Sequence, residues 1–140
     1  MRTPELEAAY RATAYCVDLP LGGVCLRIGE SSPALAAALA ARGAGEWAIL
    51  CAANPGARWL PEAENARRFG ELHALLAEAG HDCWLGVNLA DDDGWPPEPS
   101  LCVPGLPRGE ALKLAMRFGQ NAIVVGDASG IPMLLWVETA

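Results

Sequence analysis

Apolar positions recur along this chain at two spacings, one helical and one alternating. TPELEAAYRA reads as a short helix: Thr3 can cap it, Pro4 suits its first turn, and Glu5 and Glu7 complement its positive end. AYCVDL and GVCLRI alternate as two strands joined through LPLGG, a hairpin signal. Ser32 and Pro33 open an alanine-rich helix that runs to Arg42 and closes at Gly43. WAILCAA, residues 47–53, is apolar on both alternations, which predicts a strand covered on both faces or central in its sheet.

A helix is predicted over residues 61–79, stopped by Gly80, with Phe69, Leu72 and Leu76 as its apolar stripe. DCWLGVNLA and SLCVPG read as strands around the proline-rich loop DDDGWPPEP. Residues 107–118 form a further helix ended by Gly119. NAIVVGD and PMLLWVE close the chain as a hairpin around ASG, with Gly130 at positive φ. The order αββαβαββαββ implies an α+β layered sandwich: a largely antiparallel mixed sheet with helices packed mainly on one face. No repeat or linker divides the chain, so a single domain is expected over residues 1–140.

Composition narrows the class. Hydrophobic residues at 52% argue against disorder. A net charge of −7, one lysine (Lys113) and no cationic run longer than Arg67–Arg68 leave no electrostatic footprint for nucleic acid. No stretch reaches the roughly 18 apolar residues of a membrane span, and MRTPELEAAYRAT lacks the apolar core of a secretory signal. Five cysteines, Cys16, Cys25, Cys51, Cys83 and Cys102, form no CxxC pair and sit in strand-like apolar runs. Buried reduced thiols are the expectation, which points to the cytoplasm. No metal-ligand spacing, phosphate loop or nucleophile elbow occurs, so no metal and no cofactor is expected.

The polar residues of interest gather at element junctions. Asn65 lies four before Phe69 and seven before Leu72, which places its carboxamide on the buried stripe of its helix. Asn54 ends the apolar strand, followed by a Pro55-Gly56 turn. Such groups either satisfy local backbone or line a crevice beyond the strand ends. Arg58 precedes a helix N-terminus, where it is an anion-site candidate; Glu62 and Glu64 in that turn favour an ion pair instead. Glu98 is held between Pro97 and Pro99, a rigid carboxylate suited to a ligand clamp or a general base, and Ser100 follows two residues later. Gln120 and Asn121 follow Gly119, placed to cap a helix end or to face the same pocket. Asp91, Asp92, Asp93 and Gly94 copy only a fragment of a calcium loop and read as a solvated turn.

The succession AANPGAR, AEN, EPS and FGQNA resembles the uncharacterised bacterial domain-of-unknown-function family 3293 over most of the chain. The matching positions are Asn54, Pro55, Arg58, Glu64, Asn65, Glu98, Ser100, Phe118, Gly119 and Gln120; Ala57 stands where that pattern carries serine, which removes a hydroxyl. The resemblance supports the choice of residues and carries no activity. The expected function is a binding module whose candidate ligand residues are Asn54, Arg58, Asn65, Glu98, Ser100 and Gln120. The ligand would be a small polar molecule or a segment of a partner protein, since carboxamides and one carboxylate give directional hydrogen bonds. Two alternatives stand beside it: a hydrolase or transferase with Glu98 as general base, and a homodimer formed through a sheet edge or a tryptophan such as Trp59 or Trp95.

Overall fold

Capping chemistry sets the first boundaries. Thr3 Oγ1 accepts the Leu6 N–H at 3.0 Å and opens α1 (Pro4–Arg11); Ser32 Oγ accepts the Leu35 N–H at 3.2 Å and opens α2 (Pro33–Arg42), which ends at left-handed Gly43. The structure is a computed structural model that describes residues 2–92 and 94–137. Its other helices are α3 (Glu62–Glu78) and α4 (Arg108–Arg117), and a single 3-10 turn spans Pro55–Ala57. The strands are β1 (Thr13–Leu19), β2 (Gly22–Leu26), β3 (Glu46–Cys51), β4 (Trp84–Ala90), β5 (Glu98–Pro104), β6 (Ala122–Asp127) and β7 (Met133–Trp136). The order of elements is the one the hydrophobic pattern predicts.

All seven strands join one sheet in the order β2-β1-β4-β5-β3-β6-β7, and every pairing is antiparallel. The α+β class and the antiparallel sheet are those expected. The helices, expected mainly on one face, divide between both. Leu72 and Leu76 of α3 and Ala111 and Ala115 of α4 pack with Leu50, Leu101 and Val125 on one side. Leu35 and Leu39 of α2 pack with Tyr15, Trp47 and Ile49 on the other. On that second side α1 also returns, through Tyr10 stacked edge-on against Trp136 at 5.7 Å. The reason is β3, which is apolar on both alternations and interior to the sheet, so both of its faces need cover. Trp47 on that face leaves no room for a side chain at Gly126, where a Cβ would stand 2.5 Å from the indole.

Two local expectations are corrected. β5 begins at Glu98, two residues earlier than SLCVPG implied, so Glu98 is a strand residue opposite Asn88 rather than a loop carboxylate. Cys16 and Cys25, expected as reduced buried thiols, face each other across the β1–β2 hairpin and are joined as a disulfide, with Cys25 exposed. The hairpin register puts them side by side, which sequence spacing did not disclose. The argument from reduced thiols to a compartment therefore does not hold. Cys51, Cys83 and Cys102 are free. Among the described residues no helix is long and apolar enough to cross a membrane. Asp93, in the acidic loop, lies outside the described residues.

Candidate functional site

One end of the sheet gathers the C-terminal ends of β3 and β4 and the N-terminal ends of β1, β5 and β6, because antiparallel neighbours alternate direction. Asn54 sits at the centre of that end, 5% exposed, in the left-handed region at φ 49° that asparagine tolerates. Its polar groups are all engaged. The backbone N–H donates to Asn65 Oδ1 at 3.0 Å. Oδ1 accepts from Leu60 N and from Asn65 Nδ2, both at 2.9 Å. Nδ2 donates to Glu98 Oε2 at 2.7 Å. Asn65 spends its remaining donor capacity on Leu60 O at 3.4 Å. The inward asparagine of α3 thus ties down the loop between β3 and α3, which answers the need of a buried carboxamide for partners.

The segment after α4 locks onto the same loop. Gly56 N donates to Gly119 O at 2.8 Å, and Gln120 Nε2 donates to Ala53 O at 3.0 Å and to Phe118 O at 3.2 Å. Gly119 has φ +67°, and a Cβ there would lie 2.8 Å from Pro55 Cβ, so glycine is required on both counts. Arg68 of α3 completes the joint: Nε donates to Ala52 O at 2.7 Å, a terminal nitrogen donates to Phe118 O, and the guanidinium lies over the Phe118 ring at 5.6 Å. The motifs NPG, AEN, EPS and FGQ, scattered in sequence, are one knot around Asn54. A family model described as "Protein of unknown function (DUF3293)" matches residues 50–123.

The chain belongs to the DUF3293 family. The match spans the end of β3 to the start of β6, so it holds every part of the knot, while α1 and β1 lie outside it. No curated protein and no solved structure matches the chain.

Beside the knot is a cavity of about 570 Å³, between α1 and the end of the sheet. Asn54, Glu98 and Gln120 line it, together with Asn88, Tyr10 and Trp95. Ala8 and Ala9 of α1, with Ala12 at its C-terminal cap, form an apolar wall. Tyr15, Asn88 and Glu98 stand in one cross-strand row over β1, β4 and β5. Tyr15 donates its hydroxyl hydrogen to Tyr10 O at 2.9 Å and so joins β1 to the end of α1. Trp95 is steadied by Trp59, edge-on at 5.2 Å.

Burial raises the Glu98 carboxyl above the ordinary carboxylate range, against the bonds from Asn54 and Trp95 that favour its charged form. Its Oε1 has the Cys51 sulfur as a weak neighbour at 4.0 Å. Burial pushes the Cys51 thiol up to about 12, and the Glu98 charge adds to that, so this sulfur is a neutral packing group at neutral pH. Burial also raises the Tyr10 and Tyr15 phenols.

Of the six candidate residues, Asn54, Glu98 and Gln120 converge on the cavity. Asn65 sits behind them as their support. Ser100 is 1% exposed and lies deeper along β5, packed against Gly86 rather than lining the cavity. Arg58 is exposed and does not line the cavity either. The expected ion pair from Arg58 to Glu62 or Glu64 does not form; Glu64 pairs with Arg67 at 2.5 Å, three residues along its own helix, where the geometry is built in. Asn88 was not singled out from the sequence. Its signal was there, in an asparagine at the inward alternation of Trp84, Gly86 and Asn88.

Proposed function

We propose that this DUF3293 chain is a binding module for a small polar molecule, held in the cavity between α1 and the end of the sheet. The observation that carries the reading is convergence: polar groups from the β3–α3 loop, β4, β5 and the α4–β6 junction meet at one concave place whose other wall is apolar. Cavities of this size and mixed lining are the usual form of small-molecule sites. The knot beneath it keeps Asn54 and Glu98 in place before a ligand arrives, which lowers the entropy lost on binding. The test is a fragment screen by protein-observed NMR on the wild type and on Ala9→Trp, which fills the cavity from its α1 wall. Fragments should shift cavity residues in the wild type and lose at least about tenfold in affinity in the variant. Fragments that bind both proteins equally, or none that perturb the cavity, would sink the reading.

The alternative, a hydrolase or transferase, has one observation in its favour. A carboxyl raised by burial is closer to the range of a general base. Against it, Cys51 is far from its thiolate range and Thr13 commits its hydroxyl to Ala9 O at 2.7 Å, so neither cavity residue is an activated nucleophile.

A further inference from the structure

The charged residues that line the cavity are Glu5, Asp92 and Glu98, all acidic; no arginine, lysine or histidine is among the described lining residues. Two arginines are committed elsewhere. Arg27 forms a two-pronged pair with Asp91 at 2.8 and 2.9 Å, and Arg68 is turned onto Ala52 O and Phe118 O. Glu98 therefore sits at the sheet end held only by neutral donors, the Asn54 amide, the Trp95 indole and, weakly, the Cys51 thiol. A carboxylate taken out of water without a cation is an unfavourable arrangement that a positive partner relieves. Directly opposite on β4, Asn88 Oδ1 is buried with no hydrogen-bond partner among the described residues. A carboxylate without a cation thus neighbours an acceptor without a donor, while an anion would meet only like charge.

An ammonium supplies what is missing: a positive charge and three N–H donors in one compact group. The remaining wall, α1 alanines with the Tyr10 and Trp95 rings, offers a hydrocarbon body apolar and aromatic contact. We infer that the cavity takes an organic cation, a primary amine with a hydrophobic body, its ammonium seated on Glu98 beside Asn88. The inference rests on the cavity being the binding site and adds the chemical class of its ligand.

Three probes of one shape test it at neutral pH by calorimetric titration and by protein-observed NMR: 2-phenylethylamine, 2-phenylethanol and 3-phenylpropionate. The expected result is an amine at least about tenfold tighter than the alcohol, with the carboxylate weakest, and shifts centred on Asn88 and Glu98. In Glu98→Gln, shown to be folded by its amide spectrum, the amine should lose its advantage over the alcohol, the ratio of the two affinities falling to about one. If all three bind the cavity alike, or the carboxylate binds tightest, the cation inference is overturned and the binding-module reading stands. If the three probes and the fragment screen alike leave the cavity residues unperturbed, both are overturned.

Discussion

At the scale of residues, Asn54 and Asn65 act as one unit, and Asn65 is the structural half. Asn65→Ala removes the acceptor of a buried N–H and a donor to Asn54 Oδ1. The expected cost is about 1–3 kcal/mol in chemical denaturation, from groups left unpaired in the interior. A loss within error would mean the loop holds itself. Glu98 makes a prediction about pH. Its carboxyl is raised in the folded protein above the ordinary 4.5, mainly by burial. The folded state then keeps the proton to higher pH than the unfolded chain. That term favours folding below the ordinary value and is lost as pH rises through the folded one. Glu98→Gln has no such term, so its stability relative to wild type should grow as pH is raised from about 4 to about 8. A difference independent of pH would contradict the placement of Glu98. The inward position of Asn65 was legible in its helical spacing from Phe69 and Leu72. Its bond to Asn54 was not, because that depends on the left-handed turn of a loop eleven residues away.

At the scale of elements, caps and stripes carried their own signals. Thr3 and Ser32 accept the N–H groups their sequence positions imply, and Leu72 and Leu76 are each 1% exposed on the predicted face of α3. The hairpin of β1 and β2 was legible as a hairpin; its disulfide was not, since one slip of register would separate Cys16 from Cys25. The cross-link closes a short loop, with a sequence separation of nine. Intact mass without reductant should be about 2 Da below that of the reduced chain, for two hydrogens lost at the S–S bond. Replacing both cysteines by serine should cost about 2–3 kcal/mol in denaturation, by the loop-closure argument. Equal masses with and without reductant would refute the bond. β5 shows the opposite failure. Prolines 97 and 99 read as a loop around Glu98, yet the strand extends through Pro99, and pairing with β4 is what carries Glu98 to the cavity.

At the scale of the whole molecule, the site exists because the ends of β1, β3, β4, β5 and β6 meet and α1 lies across them. A ligand that binds only the folded state should raise its stability by about 2.7 kcal/mol at a hundredfold excess over Kd, several degrees in Tm. Thermal unfolding with the amine probe, in wild type and in Ala9→Trp, measures this directly; the variant should show no rise. Local pattern was enough to establish the order of elements, the α+β class and the polar residues worth watching, because helix caps, apolar stripes and strand alternation are written within a few residues of one another. The strand order, the division of helices over two faces, the Cys16–Cys25 bond and the meeting of Asn54, Asn88 and Glu98 were decided only in the tertiary structure. Each depends on register and packing between segments far apart in the chain, and no local spacing encodes those distances.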